Sequence, residues 1–250
     1  VYLENWKENE NVKKTRQFMS HLGLRELEMV PFDSDKQKDL ADELLSFAVS
    51  KKADLLLMTS RGHSRLAKFF LGSFAEEMLA IATVPVLFLT KNNRHHEYTR
   101  KALFASDFSE HSKKVYHHFL KQMGPNLEEL ILYHAISLPV ATLSASAFAG
   151  IPATWTDREL EEQVNNAQSL CESWMNEARM NHLKVRFHAK VDQAVESLGR
   201  AILDVAQTEQ VGMVALASHA GPMHDMFLGS VTRDVFEVAT YPVWVCGPQF

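Results

Sequence analysis

The sequence contains little of what marks secreted, membrane-bound or nucleic-acid-binding proteins. Only two of its 250 residues are cysteines, Cys171 and Cys246, and they form no Cys-x-x-Cys pair, so a disulfide-stabilised secreted domain is not expected. No segment has the roughly 18 consecutive apolar residues of a membrane-spanning helix, and the first residues lack the pattern of a signal peptide. With 26 basic and 31 acidic residues the net charge is −5, which argues against a general binder of phosphate backbones. These absences predict a folded cytoplasmic protein with neither nucleic acid nor a membrane as partner.

The sequence repeats itself. Residues 70–73 (FLGS) recur at 227–230, and residues 82–86 match 239–243 at all but one position, both at an offset of 157 residues. Further upstream the offset is 158, so the second copy has lost one residue before Gly229. The second repeat begins near Lys101, and the counterpart of its first third would precede Val1. We therefore expect a parent sequence longer by about 57 residues, a partial first domain at 1–91, a linker at 92–99 and a complete second domain at 100–250.

Short apolar runs alternate with helical patterns in both repeats. In the second repeat we predict strands at 101–106, 130–136, 184–190, 212–217 and 241–246, and helices at 110–123, 157–181, 193–208 and 230–238. In the first repeat we predict helices at 2–22, 36–51 and 73–82, and strands at 26–32, 54–59 and 85–90. Such alternation predicts an α/β fold, a doubly wound parallel sheet covered by helices on both faces. The first repeat lacks its opening strand, helix and second strand.

A glycine-containing loop follows the predicted strand at 54–59. Nine residues separate Gly62 from Gly72, and Gly72 and Ser73 open a helix. Unpaired backbone amides at such a helix start, together with a serine hydroxyl, can cradle a phosphate, and Arg61 and Arg65 add positive charge. The same residues also fit an ordinary helix cap, so the loop alone does not decide between the two.

This loop and the strand before it resemble the universal stress protein family, whose nucleotide-binding members carry the pattern Gly-x2-Gly-x9-Gly-Ser/Thr. In the first repeat Gly62, Gly72 and Ser73 match this pattern, and Thr59 stands in the place of the first glycine. The adenine nucleotide alpha hydrolase-like fold of that family is what the resemblance implies for this chain.

The second repeat resembles the same family over its whole length. Ser106 and Asp107 stand where an aspartate of the family meets the adenine, and Ala135 stands where backbone atoms meet the base. The phosphate loop departs from the pattern, because alanines replace the first two glycines and the spacer has eight residues. The resemblance thus implies the following nucleotide-binding candidates: Thr59, Gly62, Gly72, Ser73, Ser106, Asp107, Ala135, Ala217, Ser218, His219, Gly221, Gly229 and Ser230.

The resemblance implies a tandem universal stress protein that binds adenine nucleotide, ATP with or without Mg²⁺, and acts as a stress sensor or regulator. Relatives pair through their last strands, so residues 84–89 and 242–245 are expected to pair within the chain as a pseudo-dimer, and a homodimer is a further possibility. Two alternatives stay open: a scaffold or small-ligand carrier with a degenerate phosphate loop, and a weak nucleotide hydrolase.

Other candidate sites receive structural interpretations. Ser73 and Ser230 have no His and Asp at a motif spacing that would activate them, so no catalytic residue is predicted. The 12 histidines include His111 and His118 on one helix face, but no acidic or cysteine ligand completes a metal spacing, and we interpret them as solvated. Asp107 could cap the helix at 110–123, with or without a contact to the base. Both cysteines are interpreted as core residues.

Overall fold

The computed structural model describes residues 40–59, 73–89, 100–137, 157–192, 197–218 and 229–250. The chain divides into two compact units, Val1–Leu44 and Leu45–Phe250, and all strands of the sheet described below belong to the second. The predicted helix at 2–22 and strand at 26–32 lie outside the described residues, as do Gly62, Gly72, His219 and Gly221. The predicted linker at 92–99 also lies outside them, so the domain boundaries remain a prediction.

Six helices and seven strands occupy the described segments. The helices are α1 (Leu40–Ser50), α2 (Ser73–Ile81), α3 (Glu110–Met123), α4 (Asp157–Met180), α5 (Leu198–Thr208) and α6 (Ser230–Val238). The strands are β1 (Leu56–Thr59), β2 (Val86–Leu89), β3 (Lys101–Ala105), β4 (Glu129–Ser137), β5 (Lys184–Asp192), β6 (Met213–Ala217) and β7 (Val243–Cys246). Strands and helices therefore alternate as predicted. No helix in this part of the chain combines the length and the apolar character that a membrane crossing needs.

The seven strands form one sheet in the order β1-β2-β7-β6-β3-β4-β5. Strand β3 pairs in parallel with β4 on one side and with β6 on the other. The chain thus runs outward from β3 to β5 and then returns to β6 and β7, which reverses the strand order between β3 and β6. This confirms the doubly wound α/β fold, and it creates the crevice at the carboxyl ends of the strands where such sheets bind ligands.

One pair in the sheet is antiparallel, that of β2 with β7. Val86 faces Val245, and Phe88 faces Val243 across this pair. Because β2 closes the first repeat and β7 closes the second, the two last strands pair within one chain, as the family resemblance implied. Strands β1 and β2 are parallel to each other, so the sheet contains two parallel sets joined at this single antiparallel pair.

Each face of the sheet carries its own buried core, which explains why the strands are almost continuously apolar. Leu103 and Val214 point to the face covered by α2, α5 and α6, where Leu79, Ile202 and Val235 pack against them. The next side chains along the strands point to the other face. That face carries the aromatic residues of α3 and α4 together with residues of the strands, including Phe104, Tyr116, Phe119, Trp174 and Trp244.

Candidate functional site

A cleft of about 170 Å³ opens at the carboxyl ends of β3, β4 and β6. It lies at the point where the strand order reverses. Four of the predicted site residues line it, although they come from distant parts of the sequence: Ser106, Asp107, Ala135 and Ala217. The remaining lining residues are Ala105, Ser112, Tyr133, His134, Leu198, Ile202, Leu216 and Val231. The structure therefore brings together the carboxyl ends of β3, β4 and β6.

The turn after β3 is held by successive hydrogen bonds. The amide of Ser106 donates to the carbonyl of Tyr133 at 2.9 Å, which extends the pairing of β3 with β4 by one residue. The hydroxyl oxygen of Ser106 accepts from the amide of Phe108 at 2.9 Å, and Oδ1 of Asp107 accepts from the amide of Ser109 at 3.0 Å. These bonds turn the chain sharply from the strand into α3.

Phe108 adopts a φ of 58°, a left-handed conformation that a bulky side chain rarely takes. Its ring packs edge-on against Trp174 with the centroids 5.1 Å apart, and it lies 5.0 Å from the ring of His134. These contacts and the hydrogen bond to its amide offset the cost of the left-handed backbone, which is on the order of 1–3 kcal/mol. Phe108 does not itself line the cleft, but its side chain anchors the turn that carries Asp107.

His134 is a cleft residue that the sequence analysis did not select, because only the following Ala135 matched the family pattern. Its Nδ1 lies 2.9 Å from the carbonyl oxygen of Ser106. A carbonyl only accepts, so Nδ1 carries the proton of this hydrogen bond. The imidazole therefore ties the end of β4 to the end of β3.

Asp107 supports the start of α3. Ser109 is the cap residue, and its hydroxyl oxygen accepts from the amide of Ser112 at 3.2 Å. Oδ1 of Asp107 accepts a second hydrogen bond, 2.6 Å long, from the hydroxyl of Ser112. The capping interpretation of Asp107 is thus correct in part: its carboxylate braces the first turn while it also lines the cleft. Ser112 is only 1% exposed, and no sequence motif had indicated it.

Three helices begin around the cleft. Ser112, Leu198 and Val231 come from the first turns of α3, α5 and α6, and each lines it. The first amides of a helix have no partner within the helix and carry partial positive charge, so this rim favours an anionic ligand group. Gly229 caps α6 with a φ of −55°, and Ser230 is its exposed first residue. Any residue can adopt this φ, so the backbone conformation does not require glycine there.

Ser218 lies just beyond the end of β6. Its amide donates to the carbonyl of Cys246 at 2.8 Å, and its side chain is fully buried. No group among the described residues hydrogen-bonds its hydroxyl, which does not line the cleft.

The candidate site of the first repeat is described only at its two ends. Thr59 is the last residue of β1, and Ser73 is the first residue of α2. The glycines between them lie outside the described residues, so this phosphate cradle remains a prediction.

The interpretation of His118 as a solvated residue is wrong. Its ring lies 4.8 Å from that of Phe250 and 6.5 Å from that of Trp244, and burial lowers the pKa of the imidazole. Both residues that bury it come from the last strand and the end of the chain, far away in sequence. In the described segments no three His, Cys, Asp or Glu side chains converge as a metal site would require.

Both cysteines are fully buried and form no disulfide. Burial raises the pKa of the Cys171 thiol to about 12 and raises that of Cys246 as well. A thiol that stays protonated at neutral pH is a poor nucleophile, so these residues belong to the core and carry no reaction.

Comparison with known proteins shows which family the sequence matches. The profile of the universal stress protein family matches residues 35–90 and 99–247, one segment in each repeat. A universal stress protein of Mycolicibacterium smegmatis is 25% identical over 202 residues, which is 80% of this chain and 64% of that protein. Universal stress protein MJ0531 of Methanocaldococcus jannaschii is 43% identical over 51 residues, 20% of this chain and 30% of that protein. The chain thus spans less than two thirds of either relative.

A solved structure agrees with the fold. The crystal structure of a universal stress protein from Archaeoglobus fulgidus superposes with a TM-score of 0.62 at 21% identity. The match covers 97% of this chain and 78% of that one.

Proposed function

The chain belongs to the universal stress protein family, and from that premise we propose that it binds an adenine nucleotide in the cleft of its second repeat and acts as a ligand-dependent regulator. The observation that carries the proposal is the convergence of Ser106, Asp107, Ala135 and Ala217 on one cleft at the strand-order reversal. Ser106, Asp107 and Ala135 stand at positions that the family resemblance assigns to the base, and Ala217 stands at the first glycine position of the phosphate loop.

The chemistry of the cleft suits the two ends of a nucleotide. An ionised carboxylate at Asp107 only accepts hydrogen bonds, which fits the exocyclic amino group of adenine, and the backbone at Ala135 would meet the base edge. Ile202 and Leu216 supply apolar surface for the ring. The starts of α3, α5 and α6 would face the phosphates. Asp107 is the sole carboxylate among the described lining residues, so Mg²⁺ accompanying ATP would be held chiefly by phosphate and water.

We favour a regulator over an enzyme because His134 and Ser112, the described lining residues closest in type to a catalytic base and a nucleophile, are both tied into structural hydrogen bonds. The imidazole of His134 is bonded through Nδ1 to a backbone carbonyl, and the hydroxyl of Ser112 donates to a carboxylate. The first alternative is a scaffold or a carrier of another small ligand, and the methyl group of Ala217 at a glycine position of the family pattern favours it. The second alternative is a weak hydrolase, since bound ATP could be attacked slowly by water.

Isothermal titration calorimetry with ATP, with and without Mg²⁺, tests the proposal. The variant Ala217→Glu places a carboxylate in the cleft and should weaken ATP binding at least tenfold through repulsion of the phosphates. Met180→Glu is the matched control, because Met180 is 75% exposed at the end of α4, near the opposite edge of the sheet. Absence of binding heat in the unmodified protein, or equal affinity in all three proteins, would overturn the proposal.

The variant Gly72→Glu separates the two repeats. If ATP binding is lost in this variant but persists in Ala217→Glu, the nucleotide site lies in the first repeat and the assignment to the second is wrong. The appearance of ADP in the unmodified protein, and its loss in Ala217→Glu, would favour the hydrolase.

We further propose that the protein is cytoplasmic. Whether it also forms a homodimer can be tested. Both neighbours of β2 and both neighbours of β7 are strands of the same chain. A homodimer would therefore have to use a surface other than these last strands. Sedimentation velocity over a range of protein concentrations measures the assembly state directly.

A further inference from the structure

The side chain of Ser112 holds the carboxylate of Asp107 in place, and from this geometry we infer that Ser112 is a positioning residue that sets the preference of the cleft for an amino-bearing base. The inference rests on the proposed nucleotide site. Ser112 is 1% exposed, yet it is one of the residues that line the cleft, and its hydroxyl lies 2.6 Å from Oδ1 of Asp107. This length is typical of a hydroxyl bonded to an ionised carboxylate, a class of hydrogen bond about twice as strong as a neutral one.

The direction of the hydrogen bonds commits the Ser112 proton to Asp107. The hydroxyl of Ser109 donates to Oγ of Ser112 at 3.2 Å, so Oγ of Ser112 acts there as an acceptor. Its own proton then goes to Oδ1 of Asp107, which also receives the amide of Ser109. Two donors on one oxygen fix the plane of the carboxylate. Hydrogen bonds in such a chain polarise and strengthen one another.

The fixed carboxylate has a consequence for selectivity. Adenine presents an amino donor where hypoxanthine presents a carbonyl oxygen, and a carboxylate accepts the first but repels the second. A carboxylate free to rotate could turn away from the carbonyl and reduce the penalty. Ser112 blocks that rotation. It also lowers the entropy cost of ligand binding, because the side chain of Asp107 is already ordered before the ligand binds.

The capping of α3 does not account for this side chain. Ser109 provides the cap by accepting the amide of Ser112, and this contact involves only the backbone of Ser112. If the hydroxyl of Ser112 were merely structural, its removal would lower stability and would weaken all nucleotides equally. If it positions Asp107, its removal changes the ratio of affinities.

The experiment compares the affinities of the full chain for ATP and ITP by calorimetry. We expect the unmodified protein to prefer ATP by about tenfold or more, and Ser112→Ala to reduce this preference by about five- to tenfold. Ser112→Thr keeps the hydroxyl and should restore the preference. Cys171→Ala is the stability control, since Cys171 is fully buried on α4 and does not line the cleft. It should lower the melting temperature by about 2–5 °C and leave the ratio unchanged.

A double substitution makes the test specific. In the Asp107→Asn background, Ser112→Ala should change the ratio by less than about twofold, because the carboxylate that it positions is gone. An unchanged ratio in Ser112→Ala alone, or an equal loss of ATP and ITP affinity, overturns the positioning role while leaving the nucleotide site intact. Failure of the unmodified protein to bind ATP overturns the proposed function and this inference with it.

Discussion

Gln122 bridges the two repeats, and its removal gives a sharp test of how they are held together. Its side-chain amide donates to the carbonyl oxygen of Asp54, just before β1, at 2.6 Å. Its side-chain oxygen accepts from Nε1 of Trp244 on β7 at 2.8 Å. Trp244 is fully buried, so Gln122→Ala leaves a buried indole donor without this partner, at a cost of about 1–3 kcal/mol. Loss of the more exposed bond to Asp54 adds about 0.5 kcal/mol.

We therefore expect Gln122→Ala to lower the free energy of unfolding by about 1.5–3.5 kcal/mol, measured by urea denaturation followed by tryptophan fluorescence and circular dichroism. The control is Trp244→Phe, which removes the buried donor together with its need for a partner. In that background Gln122→Ala should cost less than about 1 kcal/mol. A cost below 0.5 kcal/mol in the unmodified background, or the same cost in both backgrounds, would refute the reasoning, since the unsatisfied indole could then not be the cause.

Three further predictions concern the second repeat and its core. Gly199→Ala should lower the free energy of unfolding by about 1–3 kcal/mol, because a Cβ there would lie 2.6 Å from a backbone nitrogen of α6. Gly124→Ala is the control, since a Cβ at that position meets no atom within 4 Å. Similar urea midpoints for the two variants would contradict this packing. Arg186 hydrogen-bonds the carboxylate of Glu209 and holds the pKa of that group below its ordinary value of 4.5. The ion pair thus stabilises the fold above this pH and loses its effect as the pH falls further. Arg186→Met should accordingly cost about 1 kcal/mol at pH 7 and progressively less as the pH falls through the lowered pKa of Glu209, and a cost that stays constant into strong acid would disprove the linkage. Both cysteines are buried, and burial raises the pKa of the Cys171 thiol to about 12 and raises that of Cys246 as well. Neither should therefore be alkylated by iodoacetamide at pH 7.5 until the protein unfolds, which mass spectrometry can follow. Rapid labelling of the native protein would contradict their burial.

The sheet and the edge that carries the candidate cleft could be predicted from the sequence because their signals are local. Apolar runs such as 101–106 and 212–217 become strands buried on both faces, which parallel sheets require, and they lie at Lys101–Ala105 and Met213–Ala217. Because parallel strands end at the same edge, Asp107 and Ala135 had to come close once the topology was known. The same rule brought Ala217 to them.

What could not be predicted depends on side chains that meet across the fold. A serine inside α3 has no local signal for reaching back to Asp107, and nothing in the sequence indicates that Phe108 takes a left-handed backbone. The burial of His118 requires Trp244 and Phe250, and these residues reach it only through the pairing and packing of the whole sheet. The lack of a metal-ligand spacing suggested a solvated ring, and tertiary packing reversed that expectation.

The pairing of β2 with β7 connects the proposed ligand cleft to the first repeat through one helix. Val231, in the first turn of α6, lines the cleft, and Phe236 of the same helix packs edge-on against Phe88 of β2 with the centroids 4.9 Å apart. Gly247 lies so close to α2 that a Cβ there would stand 2.0 Å from the carbonyl oxygen of Leu79. A packed junction of this kind does not deform continuously. A ligand that shifts the start of α6 must therefore either displace the contact of Phe236 with Phe88 or be opposed by that contact. The packing of the first repeat thus contributes to the free energy of ligand binding in the second.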